Sequence, residues 1–328
     1  MIRKTLLTRK KLLTLALAAG LLAPVASLHA QGYPNRAIRF IVPYAPGGGA
    51  DITCRMIAQK MQEIMGQNVI VENRPGASEI VGNEALARSA PDGYTVGFIS
   101  NSLPINAVLQ PKLPYDTERD FIPVTRLVNV PLVMVVNPGI GVNSIKELVA
   151  LAKAKPGTLN FASFGTGGPH GLAMEWFKAV TGANIVAINY KGVGPGMVAL
   201  QTGEVQVMFT GLGGGSAAIR SGKIKAIGAT PAKGIAGAPE IPPIARDYPE
   251  FDMTTWYGLA VAGGTPTDIV NRLHADVTKT LNSPDLRQRT EAQNIELSPL
   301  PQDQFAALIR QEMQIWSRVI KNAKITVN

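Results

Sequence analysis

Cysteine is almost absent. Cys54 is the single one in 328 residues, so no internal disulfide can form. Histidine is nearly as scarce: only His170 and His274 lie beyond residue 30, too few to build a zinc site with one thiol. Aromatic residues make up 6% of the chain, and no basic stripe studded with them occurs, which argues against a nucleic-acid surface. After residue 30 no apolar run approaches the roughly 20 residues a membrane-spanning helix needs. Stability must therefore come from a buried core, which a chain of this length supplies, expected here as two lobes of a soluble protein.

The first thirty residues lack any acid. Arg3, Lys4, Arg9, Lys10 and Lys11 form a basic start, residues 12–23 are an apolar stretch too short to span a bilayer, and Leu28-His29-Ala30 is a usable cleavage site. Residues 1–30 thus read as a secretory signal peptide, placing the mature chain in the periplasm. Five of the 32 Lys and Arg lie in that segment against none of the 23 Asp and Glu, so the net charge falls from +9 to about +4 on cleavage.

What is present is alternation. Strand-like runs at 37–42, 69–71 and 94–99 enclose helical patterns at 51–65 and 82–89. A second series follows, with strands at 132–136, 159–163, 185–189, 205–209 and 224–229 and helices after Ser144 and at 171–180. Ser144 and Glu147 form a capping box. In the first helix Ile52, Met56, Ile57, Met61, Ile64 and Met65 share one face. The order predicts an α/β fold with mostly parallel sheets. Residues 38–61 and 159–180 share one plan: strand, glycine-rich loop containing proline, amphipathic helix. Towards the end, residues 251–262 read as a strand, Pro266 as the first residue of a helix, and Phe305, Leu308, Ile309, Met313, Trp316, Val319 and Ile320 as one helical face. Crossing segments between the lobes are expected near 127–131 and 251–258.

Three kinds of chemistry fail on missing residues. A phosphate loop needs a lysine and a hydroxyl after its last glycine, and Gly47-Gly48-Gly49-Ala50-Asp51 has neither. The dinucleotide fingerprint fails because Ile52 stands where the third glycine belongs. A serine nucleophile elbow at Ser163, with His170 as base, fails because Phe161 occupies a position that must be glycine. Cys54 lies inside a helix as a small core residue, and Asp51 at a helix start is explained by capping. What remains is binding: free N–H groups at a glycine-rich helix start, backed by the helix dipole, receive an anion, and a carboxylate suits them as well as a phosphate. Two such loops on opposing lobes would clamp a small acid.

Tyr33-Pro34-Asn35-Arg36, residues 41–51 (IVPYAPGGGAD), 71–77 (VENRPGA), Pro91-Asp92-Gly93-Tyr94-Thr95, Leu113-Pro114-Tyr115-Asp116, 153–157 (KAKPG), Tyr190-Lys191-Gly192 and Trp256-Tyr257-Gly258-Leu259 occur in that order along the chain. This set resembles the substrate-binding proteins of tripartite tricarboxylate transporters, the Bug family. The resemblance implies a two-lobed periplasmic binding fold of type II, with lobe 1 built from 31–130 and 252–328 and lobe 2 from 131–251. It implies ligand contacts from Tyr44, Ala45, Gly47, Gly48 and Asp51 in the first loop and from Ser163, Phe164, Gly165, Thr166, Gly167, Gly168 and His170 in the second. Ser100, Asn101 and Ser102 would add donors at a strand end, and Tyr190, Lys191 and Thr210 would line lobe 2.

The function so implied is a receptor, not an enzyme. It needs no cofactor or metal, works as a monomer, and carries a small mono- or dicarboxylate, aromatic or aliphatic, to membrane permease subunits. A sensor subunit for a signalling system is the alternative, and an exported serine hydrolase a distant one. The sequence departs from the family at Ser78-Glu79, where Gly-Gly is usual, at Ala199, and in the glycine-rich run 211–215. Glu79 is expected to repel an anionic ligand unless it points to solvent or meets a cation.

Overall fold

The computed structural model describes residues 32–164, 168–293 and 295–323. The signal-peptide reading falls outside them, as do the candidate ligand contacts Gly165, Thr166 and Gly167. All named elements belong to one compact unit that begins at Arg36. The chain runs β1 (Ile38–Val42), α1 (Gly49–Met65), β2 (Val69–Asn73), α2 (Ile80–Ala87), β3 (Thr95–Ser100), α3 (Ser102–Leu109) and β4 (Phe121–Val130). It continues through β5 (Leu132–Val136), α4 (Ile145–Ala154), β6 (Leu159–Ser163), α5 (Pro169–Thr181), β7 (Ile185–Asn189), α6 (Val193–Thr202), β8 (Val207–Gly211), α7 (Leu212–Arg220) and β9 (Lys225–Ala229). Then come β10 (Thr255–Ala262), α8 (Thr267–Leu281), α9 (Pro284–Glu291), β11 (Glu296–Leu297) and α10 (Gln302–Ala323).

Two mixed sheets result, with orders β11-β4-β10-β3-β1-β2 and β7-β6-β8-β5-β9. In the first, β1 pairs in parallel with both β2 and β3; in the second, β6 does so with β7 and β8. Each sheet then accepts an antiparallel strand beside the parallel trio: β10 between β3 and β4, β5 between β8 and β9. The echo of strand, loop and helix therefore extends to the order of five strands, to which the first sheet adds β11 at its edge. In both sheets the chain reverses direction of growth at the first strand of the trio, which leaves a crevice at the carboxyl ends of β1 and β3 and of β6 and β8.

Only Pro131 separates β4 in one sheet from β5 in the other, and the chain returns between β9 and β10. The two crossings are tied together. Thr230 N–H donates to Leu132 O at 2.9 Å, the Thr230 hydroxyl reaches Leu132 at 3.1 and 3.2 Å, and Met253 N–H donates to Thr230 O at 3.1 Å. Helix α10 also links the sheets, since Trp316 packs edge-to-face on Trp176 of α5 at 5.6 Å and joins the core beneath the second sheet.

Local sequence explains the elements that frame the crevice. Cys54, Ile57, Ala58, Met61 and Met65 bury one face of α1, and Gly66, left-handed at φ 67°, ends it by donating to Gln62 O. Ile52, expected on that face, is 42% exposed, while its neighbours Asp51 and Thr53 are buried, so it lies on the outer side of the first turn. Ser144 Oγ accepts from Glu147 N–H at 3.2 Å, while the Glu147 carboxylate reaches Asn143 N–H at 2.7 Å, one residue earlier than a standard capping box. Pro266 precedes α8 as its cap rather than opening it, its carbonyl accepting the first helical bond from Val270.

Candidate functional site

The loop from β1 into α1 is organised by Asp51. This side chain is 2% exposed and turns back to accept from Gly47 N–H at 2.9 Å, from Arg55 Nε at 2.9 Å and from Asn73 Nδ2 at 2.8 Å. Asn73, at the end of β2, also donates to Tyr44 O at 2.9 Å, so one residue pins both sides of the loop. Burial pushes the Asp51 carboxyl up, but the bonds from Arg55, Gly47 and Asn73 outweigh it and hold it below the ordinary range. Asp51 is thus committed to holding the loop. Ala45, Gly47, Gly48 and Gly49 are exposed, Gly47 sits at φ 82°, and among the described residues no protein acceptor meets the N–H groups of Gly48, Gly49 and Ala50. Those three donors and the positive end of the helix dipole give this turn the chemistry that suits an anion.

A prediction follows for this loop. Asp51→Ala should destabilise the protein by about 1.5–3 kcal/mol, since Gly47, Arg55 and Asn73 lose the charged acceptor that pins the loop. Arg55→Ala should cost less than about 1 kcal/mol, because Arg55 is half exposed and its pairing is screened. Urea denaturation of the two variants side by side checks the ranking.

Tyr44 links this loop to Glu79, and neither condition under which Glu79 would spare an anionic ligand is met. It neither points to solvent nor meets a cation: it is 5% exposed and its carboxylate accepts from the Tyr44 hydroxyl at 2.5 Å and from Ser100 Oγ at 2.8 Å to both oxygens. Ser102 N–H donates in turn to Ser100 Oγ at 3.0 Å. Ser102 Oγ is buried beside the cluster without completing a hydrogen bond among the described residues. Burial raises the Glu79 carboxyl to about 7, against the opposing pull of these neutral donors. The turn that delivers it is strained, with Ala77, Ser78 and Glu79 all left-handed at φ 46°, 52° and 75°. Each costs a non-glycine residue about 1–2 kcal/mol. Asn106 Nδ2, donating to Ser78 O at 2.8 Å, secures the turn.

Above Glu79 lies an aromatic group. The half-buried Tyr44 ring meets Phe98 and Tyr257 edge-on at 6.2 and 5.8 Å, and Phe98 lies 4.7 Å from Tyr257. Asn101 faces elsewhere. Its amide donates to both Glu312 oxygens at 2.9 and 2.8 Å and its carbonyl accepts from Trp256 N–H at 2.8 Å, tying β3 to β10 and α10.

In the second sheet, Ser163 and Thr210 are buried at the ends of β6 and β8. Phe164 is half-buried, with its ring edge-to-face on His170 at 5.3 Å; a Cβ on Gly196 of α6 would lie 2.8 Å from it. Both candidate rings thus pack against neighbouring elements, Tyr44 on β3 and β10 and Phe164 on α5 and α6. Burial drops His170 to about 4, so it is neutral. Gly168, Gly192 and Gly211 precede α5, α6 and α7, which sets three helix starts at the ends of β6, β7 and β8. Tyr190 turns its hydroxyl to Glu204 at 2.8 Å on the surface, and Lys191 is exposed. Among the described residues no cluster of His, Cys, Asp or Glu is placed to hold a metal ion.

Three residues at the site escape the sequence reading as contributors: Tyr257, Asn73 and Glu79. Tyr257 and Asn73 lie in segments that carry the family resemblance. Glu79 betrays itself only as an acid where glycines are usual.

Comparison with known proteins places this geometry. A family model described as "Tripartite tricarboxylate transporter family receptor" matches residues 53–325. Protein BugT of Bordetella pertussis is 36% identical over 306 residues, covering 92% of this chain and 93% of its own. A solved structure described as a periplasmic transporter superposes with TM-score 0.83 at 34% identity, covering 90% of this chain and all of the other. A Rhodopseudomonas palustris protein solved with adipate gives TM-score 0.84 at 27% identity, again over 90% of this chain and all of that one. The architecture is the α/β two-lobed periplasmic binding protein fold, with two mixed sheets flanked by helices.

Proposed function

Since this chain belongs to the tripartite tricarboxylate transporter receptor family, we propose that it holds a small carboxylate between the strand-end loops of its two sheets and delivers it to membrane permease subunits. A receptor of this kind binds its solute without converting it. The observation that carries the ligand class is the matched plan of the sheets. Each sheet ends its first parallel strand in a glycine-rich helix start, at Gly48 and at Gly168, so each offers N–H donors to one end of an acid. The relative solved with adipate agrees with a dicarboxylate reaching from one loop to the other.

In this reading residues 1–30 are removed on export and the mature protein works as a monomer. Lobe 1 comprises 31–130 and 252–328, and lobe 2 comprises 131–251. The ligand contacts come from Tyr44 to Asp51 on one side, with Ser100 and Ser102 behind them, and from Ser163 to His170 with Thr210 on the other.

A thermal-shift screen of mono- and dicarboxylates tests the reading. An acid at a hundred times its Kd stabilises by about 2.7 kcal/mol, a rise of roughly 5 °C for a chain of this size. A sugar, an inorganic cation or an amino-acid amide raising the melting temperature while no acid does would refute it.

A further inference from the structure

We infer that Glu79 sets which ligands this site accepts: an anionic group is held against Tyr44 only together with one proton taken up by Glu79, whereas a ligand N–H or O–H is accepted there without it. The inference rests on the carboxylate-binding reading above and deepens it.

The count of protons carries it. A tyrosine hydroxyl has one proton to give and a serine hydroxyl has one. Tyr44 gives its own to Glu79 at 2.5 Å, and Ser100 gives its own to the same carboxylate at 2.8 Å. With Glu79 ionised, the oxygen of the half-buried Tyr44 therefore has only lone pairs left to offer a ligand. These attract a donor and repel a carboxylate. Protonation reverses the polarity: the Glu79 O–H donates to the tyrosine oxygen, the tyrosine proton turns outward, and an acid gains a donor. One proton moves from solvent to Glu79 for each anion bound, and no other bond changes.

No charge near the cluster substitutes for that proton. Tyr44 faces Glu79 from β1, Tyr257 from β10 and Tyr115 from the segment after α3, and burial raises all three phenols, so they stay neutral. From α3 come the Ser102 hydroxyl and the Asn106 amide, both neutral. On its own helix Glu84 pairs with Arg88, and Arg74 of the same turn pairs with Glu72. His170, dropped to about 4 by burial, does not titrate near neutrality. Burial sets Glu79 at about 7, so the proton is readily taken up at neutral pH and becomes costly above it. Apparent affinity for an acid then falls about tenfold per pH unit above that point. The strained backbone agrees: three successive left-handed residues deliver a side chain that glycine would omit at no conformational cost.

Isothermal titration with adipate and other four- to six-carbon dicarboxylates, in two buffers of different ionisation enthalpy, reads the proton directly. At pH 8, where these ligands are fully ionised, wild type should take up close to one proton per acid bound. Its Kd should rise about fivefold between pH 7 and pH 8 and about tenfold over the next unit. Glu79→Gln should bind with no proton uptake and a flat profile across that range. Glu79→Gly should match it, and it also frees the turn of strain, so it stands in if the glutamine variant folds poorly. Acids that bind wild type without proton uptake, on the same pH profile as Glu79→Gln, overturn the inference and leave the carboxylate reading intact. If amides or amines bind and no acid does at any pH from 6 to 8, or if nothing binds, both fall.

Discussion

Between pH 5 and pH 8 the protein should lose about 3 kcal/mol of stability. Two buried carboxyls set the direction. Glu79 and Glu312 are both raised to about 7, chiefly by burial, from an ordinary value of 4.5. Glu312 accepts from Trp256 Nε1 at 2.7 Å and from Asn101, and borders a cavity of about 170 Å³ shared with Arg126, whose charge only partly offsets the burial. A carboxyl with a raised folded pKa binds its proton more tightly in the native state. Its penalty is absent below 4.5, grows as pH rises towards 7, and is complete above it. Each group contributes about 1.4 kcal/mol per pH unit within that window.

His170 works the other way. Held at about 4 in the fold against 6.5 unfolded, it adds stability as pH rises from 4 to 6.5 and offsets one of the two carboxyls there. Asp51, held low by its hydrogen bonds, matters only below its ordinary value of 3.8. The net is a fall from pH 5 to pH 8, worth roughly 5 °C in melting temperature. The double variant Glu79→Gln/Glu312→Gln should reverse the slope between pH 5 and 6.5, leaving the histidine alone. Melting curves at pH 5, 6.5 and 8 decide this. A wild-type curve that rises with pH, or a double variant that keeps the wild-type slope, would show that neither carboxyl stays protonated in the fold.

The same residues show what the sequence made legible. The α/β alternation, the two glycine-rich loops and their repeated plan are written in local pattern, because hydrophobic period and glycine placement are local properties. The strand β4 is not. It contains Pro123 and Arg126, which argue against a central strand. The fold admits the proline by shifting register beside it, between Leu259 and Ala260, where the missing N–H falls at an irregularity in the ladder. Helices α6 and α7 are hidden by their glycines, which serve close approach rather than turning. Gly196 makes room for the Phe164 ring, and a Cβ on Gly213 would stand 2.4 Å from Gln293 O. Asn101 reads equally well as a ligand donor, and its commitment to Glu312 depends on a residue 211 positions away. Pairings of that span are set by topology, and a single sequence does not carry them locally.

Gly258→Ala should destabilise the protein by about 1–3 kcal/mol, and Phe305→Ala by about 3–5 kcal/mol. Gly258 lies in β10 at a register shift against β4, and a Cβ there would stand 2.2 Å from Phe305 Cζ. The ring has nowhere to retreat: Phe305 is fully buried and meets Trp256 edge-on at 5.1 Å. Trp256 is itself fixed by its bond to Glu312, two turns along the same helix as Phe305. The clash and the cavity are complementary, so the two changes should not add. In the Phe305→Leu background, where the ring edge is gone, Gly258→Ala should cost clearly less than in wild type, a coupling on the order of 1 kcal/mol. Gly194→Ala is the control, since nothing lies within 4 Å of a Cβ placed there. In its helical position alanine should stabilise by about 0.5–1 kcal/mol. Melting temperatures of the wild type and the five variants test the set. Equal losses from Gly258→Ala with and without the Phe305 ring would mean that the glycine serves the strand irregularity alone, not the seat of α10.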